Sequence, residues 1–143
     1  MNILIINGPN LNLLGIREPG IYGSGTYEDL CKMIKEKASD VDVNVEFYQS
    51  NHEGAIIDKI HSAMGIFDGI VINPGAYTHY SYAILDAIKA VKVPTVEVHI
   101  SDIHSRESFR SVSVTAAACI AQISGHGFEG YCEAIDLLLS QKG

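Results

Sequence analysis

Short apolar runs alternate along this chain with stretches in which apolar residues recur every three or four positions. The runs are typical of buried strands, and the amphipathic stretches are typical of helices packed on a sheet. The predicted strands span residues 2–6, 43–48, 69–72, 95–100 and 118–123. The predicted helices span residues 27–38, 53–64, 81–91 and 128–141. This alternation predicts an α/β fold, a flavodoxin-like doubly wound five-stranded parallel sheet in the order 2-1-3-4-5, with helices on both faces.

Composition narrows the class of protein. Apolar side chains make up 47% of the 143 residues and charged ones 19%, which predicts one packed domain over residues 1–143. The net charge of −7 offers no basic surface for nucleic acid or an anionic membrane. No apolar run approaches the roughly 18–20 residues of a membrane span, and no export leader is recognisable. The three widely spaced cysteines, Cys31, Cys119 and Cys132, indicate reduced, buried thiols in a cytoplasmic protein.

Polar and chain-breaking residues follow three of the predicted strands. The segments are NGPNLN at 7–12 and GIREPGIYG at 15–23, NPGAYTH at 73–79, and HISDIHSRESFR at 99–110. Ligands bind outside the carboxyl ends of strands in a doubly wound sheet, so these segments predict one site. All three arginines, Arg17, Arg106 and Arg110, fall within them. Because a guanidinium fork suits a carboxylate, the placement predicts a small anionic ligand.

Glu97 and His99 lie two residues apart on the fourth predicted strand, so their side chains share one face of the sheet. The carboxylate could orient the imidazole and favour its charged form, which would make His99 a general acid. A metal-binding pair and a purely structural hydrogen bond are the alternatives. No third residue with metal-ligand spacing accompanies the pair in the sequence.

Tyr22 lies between two glycines in the first long loop, close to Arg17 in the sequence. A guanidinium about 4 Å from a phenol, at an effective dielectric constant of about 20, is worth roughly 4 kcal/mol. That energy corresponds to about 3 pKa units, enough to bring Tyr22 close to ionisation at neutral pH. Arg17 could therefore turn Tyr22 into a base, and an aromatic residue that only closes a lid is the alternative.

Two other functions suit the predicted fold. A flavin-binding redox protein is one, although the first loop is rich in Pro and Asn rather than in Ser and Thr. A non-catalytic protein that binds a small anion is the other. No P-loop, GxGxxG or GxSxG motif is present, and no lysine lies in the strand-end segments to form a Schiff base.

Six sequence blocks carry a family resemblance that covers residues 3–138. They are NGPNLNLLG at 7–15, REPxIYG at 17–23, QSNHEG at 49–54, IVINPGAYTH at 70–79, VEVHIS at 96–101 and HxRExFR at 104–110. In this order and spacing the chain resembles the type II 3-dehydroquinate dehydratases of the shikimate pathway. The resemblance implies a lyase that converts 3-dehydroquinate reversibly to 3-dehydroshikimate through an enolate, with no metal, Schiff base or other cofactor.

The resemblance also implies roles for the residues that match the family's motifs. Tyr22 would be the base, held as tyrosinate by Arg17. His99 would be the acid that protonates the leaving hydroxyl, and Glu97 would orient it. Asn10 would stabilise the enolate, through a water molecule.

The substrate contacts of the family are implied at a second set of positions. Side chains at Asn73, His79 and Arg110 would bind ring hydroxyls, and the backbone at Ile100 and Ser101 would bind the carboxylate. Arg106 would support the site from a lid loop. Asp86 would reach the site of a neighbouring subunit, since the resemblance implies a homo-oligomer, a dodecamer of four trimers.

The sequence departs from the family's pattern at two places. Asp102 stands where Asn is common, and SVSVTA at 111–116 lacks the His and the Ser-Pro often found there. These differences leave open the surroundings of Arg110 and the trimer contact, but they touch no residue with an implied catalytic role.

Overall fold

Residues 1–16, 25–105 and 107–142 are described by the structure, a computed structural model that gives the backbone alone for residue 142. The strands within these ranges are β1 (Asn2–Asn7), β2 (Asn44–Gln49), β3 (Gly69–Asn73), β4 (Thr95–His99) and β5 (Ala121–Ser124). They form a parallel sheet in the order β2-β1-β3-β4-β5, which confirms the predicted topology. The strand order reverses between β1 and β3, which places a ligand crevice at their carboxyl ends.

Helices cover both faces of the sheet, as predicted. They are α1 (Tyr27–Asp40), α2 (Glu53–Ser62), α3 (Tyr82–Val91) and α4 (Glu129–Lys142). Leu30 and Ile34 of α1 and Ile135 of α4 pack with one face of the sheet. Ile56 of α2 and Ile84 of α3 belong to the core on the other face. The side chains of β1 contribute to both cores, because successive residues of a strand point to opposite faces.

Local signals set the starts of two helices. The Thr26 side chain accepts a hydrogen bond from the Asp29 backbone N–H, and the Asp29 carboxylate accepts one from the Thr26 N–H. This reciprocal capping box satisfies two N–H groups at the start of α1. Ser81 caps α3 in a related way, because its hydroxyl accepts from the Ile84 N–H. The chain therefore enters α1 and α3 at defined residues, each next to a strand-end segment.

Two details differ from the sequence prediction. Thr115–Ala118 forms a 3-10 turn, so β5 begins at Ala121 rather than at residue 118. The predicted helix over residues 53–64 ends at Ser62, so Met64 lies outside it and is 57% exposed. Apolar periodicity shows which side of a segment is buried, but it does not show where a 3-10 turn forms or where a helix ends.

The remaining expectations concern cysteines and membranes. All three cysteines are free, and Cys132 is buried as predicted. The prediction of burial is wrong for Cys31 and Cys119, which are half-buried. No helix among the described residues has the length and apolar character required to cross a membrane.

Candidate active site

A cavity of about 180 Å³ opens at the carboxyl ends of β1, β3 and β4. Seven of the predicted site residues line it: Asn10, Asn73, His79, His99, Ile100, Ser101 and Arg110. They come from three segments that are far apart in the sequence and adjacent in the sheet. The topology therefore brings the strand-end segments together, as the parallel order requires.

The turns after β1 and β3 pack directly against each other beneath the cavity. The Gly8 N–H donates to the Asn73 carbonyl at 2.8 Å. A Cβ on Gly8 would lie 2.6 Å from the carbonyl oxygen of Pro74, so only glycine permits this approach. Gly75 has a φ of 61° and faces Pro9 from the opposite turn. The two glycines fix the floor of the site.

Asn10 adopts a left-handed backbone conformation, with a φ of 70°. Asparagine tolerates this region better than most residues, and the Asn10 N–H is anchored at 3.0 Å by the Asn51 side-chain oxygen. Gln49 supports the same turn, because its amide donates to the Gly8 carbonyl and to Asn51. The QSNHEG block at the end of β2 thus holds the loop that carries Asn10.

Asn73, the last residue of β3, is held in one orientation by its neighbours. Its side-chain oxygen accepts from the Gly75 N–H at 3.1 Å, which places the Nδ2 amide on the other side. Nδ2 donates to the buried Tyr131 hydroxyl at 3.0 Å. The Tyr131 hydroxyl then donates to Asn7 Oδ1 at 2.7 Å, and Asn7 Nδ2 donates to the Tyr27 hydroxyl. One backbone N–H therefore sets the direction of every hydrogen bond in this buried chain.

His99 and Glu97 form a buried pair at the end of β4. His99 Nε2 lies 2.8 Å from Glu97 Oε2, and the two side chains are 5% and 0% exposed. Because an ionised carboxylate only accepts, Nε2 carries a hydrogen and donates it. The other ring nitrogen, Nδ1, makes no hydrogen bond within the described residues, and His99 lines the cavity. This arrangement suits a histidine that exchanges a proton with a ligand.

The Glu97 carboxylate accepts hydrogen bonds from three further side chains. Ser113 and Gln122 donate to Oε2 at 2.7 Å and 2.8 Å, and Thr115 donates to Oε1. Burial by itself raises the pKa of Glu97, but the hydrogen bond and charge of His99 and the two hydroxyls lower it. The balance brings the pKa of Glu97 to about 2, so the carboxylate stays ionised at neutral pH.

His79 also lines the cavity, from the 3-10 turn Gly75–His79. Its Nδ1 donates to the Val112 carbonyl at 2.7 Å, which leaves Nε2 to face a ligand. The Phe109 ring meets the imidazole edge-on, with 6.1 Å between the ring centroids. The chain after β4 thus holds His79 in place.

Arg110 supplies a positive charge to the cavity wall. Its guanidinium carbon lies 4.9 Å from the centre of the Phe109 ring, a cation–π distance. Its Nε is buried 3.0 Å from the Glu107 carboxylate, yet this atom forms no hydrogen bond within the described part of the chain. Arg110 therefore lines the cavity with its guanidinium held between Phe109 and Glu107.

The backbone at Ile100 and Ser101 turns sharply after β4. The Ile100 carbonyl accepts from the Gly127 N–H at 3.1 Å, and the Ser101 carbonyl accepts from the Ser124 hydroxyl at 3.2 Å. Asp102, one of the departures from the family's pattern, accepts from the His104 N–H at 3.0 Å and closes the next turn. The carbonyls are thus directed away from the cavity that both residues line.

Two of the predicted residues that the structure describes do not line the cavity. Asp86 is exposed on α3, and Glu97 lies behind His99. Arg17 and Tyr22, the predicted base and its partner, lie outside the described residues, as does Arg106.

Sequence reasoning missed several residues that hold the site. Thr78, Ser113, Thr115, Gln122 and Tyr131 all hydrogen-bond to predicted site residues or to one another. Gln122 was detectable as an amide within the apolar run of the fifth predicted strand. Nothing in their own sequence context marks Ser113 and Thr115, because their partners lie on other elements.

No group of three or more His, Cys, Asp or Glu side chains among the described residues is arranged to hold a metal ion. Glu97 and His99 are instead surrounded by hydroxyl and amide donors. A parallel sheet with a histidine–carboxylate pair at the carboxyl end of β4, next to the strands of its topological switch point, defines a flavodoxin-like α/β protein with a site for acid–base chemistry.

Comparison with known proteins identifies the family. The sequence model described as "Dehydroquinase class II" matches residues 1–139, and the chain belongs to this enzyme family. A 3-dehydroquinate dehydratase of Clostridium acetobutylicum is 63% identical over 138 residues, 96% of each chain. The crystal structure of a type II dehydroquinase from Butyrivibrio crossotus has a TM-score of 0.95 at 59% identity, over 97% of both chains. A type II dehydroquinase from Propionibacterium acnes has a TM-score of 0.93 at 42% identity, over 97% of this chain and 96% of that one.

Proposed function

We propose that this chain catalyses the reversible dehydration of 3-dehydroquinate to 3-dehydroshikimate, the shikimate-pathway step for which its relatives are named. The observation that carries the proposal is the buried His99–Glu97 pair at the wall of a cavity that Arg110 also lines. An acid with a fixed partner and a cation for an anionic substrate are two of the three groups this reaction needs. The third, a base, is assigned to Tyr22.

The proposed reaction begins at the carbon next to the ring ketone. The Tyr22 phenolate, stabilised by Arg17, takes a proton from this carbon, and the bonding electron pair moves into an enolate. Asn10 stabilises the enolate through a water molecule. The enolate then expels the β-hydroxyl, which takes a proton from His99 and leaves as water while the ring double bond forms. Exchange of protons with solvent returns Tyr22 and His99 to their starting states.

Substrate binding is assigned to groups around the same cavity. The side chains of Asn73, His79 and Arg110 would bind the ring hydroxyls, with Arg106 in support. The N–H groups at Ile100 and Ser101 would bind the carboxylate. Support comes from the preceding carbonyls of His99 and Ile100, which accept from the Gly125 and Gly127 N–H groups, because the N–H of a trans peptide points opposite to its carbonyl. Asn73 Nδ2 carries two hydrogens and uses one for Tyr131, so the second can donate to a hydroxyl.

The decisive experiment follows the absorbance of the conjugated product when 3-dehydroquinate is added to EDTA-treated protein. We expect full activity after EDTA treatment. Binding of the substrate without turnover would overturn the proposal in favour of an anion-binding protein. Loss of turnover that added metal restores would overturn the metal-free mechanism, and a flavin absorbance band in the purified protein would support a redox function.

Variants at the assigned acid and base test the mechanism. We expect Tyr22→Phe and His99→Ala each to lower kcat by about a thousandfold or more while 3-dehydroquinate still binds, since each removes a proton-transfer group. His61→Ala, on the exposed side of α2, is the matched control and should retain the kcat of the unmodified enzyme. A Tyr22→Phe variant with a near-normal kcat would exclude Tyr22 as the base.

We further propose that the chain assembles as a homo-oligomer, a dodecamer of four trimers, in which Asp86 reaches a neighbour's site. Support comes from exposed apolar side chains near His79, namely Tyr80, Tyr82, Phe109 and Val112. Each is between 57% and 64% exposed. A group of large apolar side chains exposed to water is typical of a surface that contacts another protein chain. The three free cysteines support the cytoplasm as the place where the enzyme acts.

A further inference from the structure

Glu97 is surrounded by donors from three separate parts of the chain. His99 is on the same strand, Gln122 lies opposite Glu97 in the register of β4 with β5, and Ser113 and Thr115 belong to the segment that precedes β5. Thr115 is fully buried, as is Glu97 itself. A buried carboxylate with four hydrogen-bond donors is an organised polar network rather than a chance contact, because the packing of the protein brings these donors together.

The hydroxyl groups form an ordered network behind the carboxylate. Thr78 Oγ1 lies 2.7 Å from Ser113 Oγ and 2.8 Å from Thr115 Oγ1. Since Ser113 and Thr115 use their hydrogens on Glu97, each has lone pairs left to accept from Thr78. The Ser113 hydroxyl also accepts from the Ala116 N–H at 3.1 Å, which fixes its direction.

The same segment connects the acid pair to His79, another residue that lines the cavity. Val112 accepts a hydrogen bond from His79, and the Val114 N–H donates to the Thr78 carbonyl at 2.7 Å. The stretch from residue 112 to residue 116 therefore runs between His79 on one side and Glu97 on the other. It makes up most of residues 111–116, one of the two places where the sequence departs from the family's pattern.

We propose that Thr115, Ser113 and Gln122 are positioning residues for the acid. Their hydrogen bonds hold Glu97 as a carboxylate. Glu97 in turn holds the His99 ring with Nε2–H directed at the carboxylate and Nδ1 directed toward the ligand. The role assigned to His99 rests on the proposed function. Thr115 is the key member of the set, because it is the donor to Oε1 while the others share Oε2.

Titratable side chains that interact with the charge of Glu97 include His99 and Cys119. Burial raises the pKa of Cys119 to about 12, and the Glu97 charge adds to this effect, so the thiol stays neutral. Because a substitution at Thr115 or Gln122 leaves His99 and Cys119 in place, a change in the ionisation of Glu97 in such a variant reports on the lost donor.

The test compares Thr115→Val with Thr115→Ser in the full-length enzyme. Valine has nearly the shape of threonine but lacks the hydroxyl, whereas serine keeps it. Thr95→Val is the matched control, because Thr95 is equally buried, lies on the same strand as Glu97 and donates to the Val93 carbonyl, away from the carboxylate. Gln122→Met removes another donor to Glu97, at a half-buried position, and replaces Thr115→Val in the test if that variant does not fold.

Two measurements are made on each variant. Steady-state kinetics give kcat and KM for 3-dehydroquinate, and ¹³C NMR of labelled glutamate carboxyls follows the ionisation of Glu97 in the free protein, with Glu97→Gln to assign its signal. We expect Thr115→Val to lower kcat roughly tenfold to a hundredfold, the range for one hydrogen bond to a charged group, with a smaller change in KM. We also expect the Glu97 signal to titrate at higher pH in Thr115→Val and Gln122→Met, and as in the unmodified enzyme in Thr115→Ser and Thr95→Val.

The two readouts separate failure of this inference from failure of the proposed function. An unchanged Glu97 titration in Thr115→Val, or a kcat loss no greater than in Thr95→Val, overturns the positioning role. If the unmodified protein does not dehydrate 3-dehydroquinate, the proposed function fails, while the NMR titration still decides whether the donors hold Glu97 ionised.

Discussion

Glu97 shows how a single side chain can be both fully buried and charged. Desolvation opposes the carboxylate, and a buried charge persists only when donors and an opposite charge compensate for the loss of water. His99 and three side-chain donors provide this compensation. Because the pKa of Glu97 falls from 4.5 to about 2 on folding, its ionisation is coupled to the stability of the protein.

We predict that Glu97 contributes stability that is complete above its ordinary pKa of 4.5 and is lost as the pH falls toward about 2. Glu97→Gln should therefore lower the free energy of unfolding by on the order of 3 kcal/mol at pH 7, with the difference shrinking below pH 4.5. Urea unfolding across this pH range measures the difference between the two proteins.

The control for this prediction is Glu46→Gln. Glu46 forms a 2.7 Å ion pair with Lys59, but its side chain is 52% exposed, so its loss should cost less than about 1 kcal/mol. A Glu97→Gln variant that is as stable as this control at pH 7 would show that the buried carboxylate is not ionised.

Gly8 gives a second prediction at the residue scale. Gly8→Ala places a methyl group 2.6 Å from the Pro74 carbonyl oxygen, so the two strand-end turns must separate. We expect a loss of about 1–3 kcal/mol in the free energy of unfolding together with weaker substrate binding, since Asn10 and Asn73 flank this contact. Urea unfolding and equilibrium binding of 3-dehydroquinate measure the two effects.

Gly54→Ala is the matched substitution for Gly8→Ala. Gly54 lies in α2, where an added Cβ would meet open space, and alanine favours helix, so this change should stabilise the protein by up to about 1 kcal/mol. Equal effects of the two substitutions would contradict the steric argument.

At the scale of elements, α4 does more than cover the sheet. Its Tyr131 is completely buried and links Asn7 at the end of β1 to Asn73 at the end of β3. The turns that form the floor of the site are thus tied to a helix near the carboxyl end of the chain. The same chain of hydrogen bonds reaches Tyr27 in the first turn of α1.

We predict that Tyr131→Phe lowers the free energy of unfolding by about 1–3 kcal/mol, because Asn7 Oδ1 and Asn73 Nδ2 lose a buried partner. KM for 3-dehydroquinate should rise more than kcat falls, since Asn73 is assigned to binding and not to proton transfer. Urea unfolding and steady-state kinetics test both parts.

Tyr48→Phe is the control for the loss of a tyrosine hydroxyl. The contact of Tyr48 with Lys59 is made by its ring, so the substitution should change stability by less than about 0.5 kcal/mol. A Tyr131→Phe variant with the stability and KM of this control would mean that Tyr131 does not orient Asn73.

At the scale of the whole molecule, the site and the exposed apolar side chains are neighbours. Phe109 contacts both His79 and Arg110, while its ring remains 60% exposed. Asp86 is exposed on α3, which begins at the exposed Tyr82. An assembly that covers these residues would bury apolar surface and bring a carboxylate from one chain toward the cavity of another.

We predict a mass of about 186 kDa by light scattering, twelve times the 15.5 kDa chain. If Asp86 serves a neighbour's site, refolding a mixture of Asp86→Ala and His99→Ala chains should restore more activity than either variant has alone. Some mixed neighbours then combine an intact His99 with an intact Asp86. A 15.5 kDa particle with full activity would contradict the assembly, and no gain on mixing would contradict a shared site.

Local features of the sequence predicted five strands and four helices in the observed order, most of their bounds to within two residues, and the placement of polar segments at the sheet edge. The Glu97–His99 contact was also predictable, because side chains two apart on a strand always share a face. The sequence blocks identified the family, and with it the assignments to Tyr22 and Arg17.

Tertiary structure alone decided which groups surround the predicted ones. Tyr131 is 124 residues from Asn7, and Gln122 is 25 residues from Glu97, so no local pattern encodes these contacts. The 3-10 turn that moved the start of β5 to Ala121 also contains the hydroxyl of Thr115, which donates to Glu97. Periodicity reports which face of an element is apolar, whereas the ionisation of a buried carboxylate depends on donors that only the packing of distant segments brings within hydrogen-bonding distance.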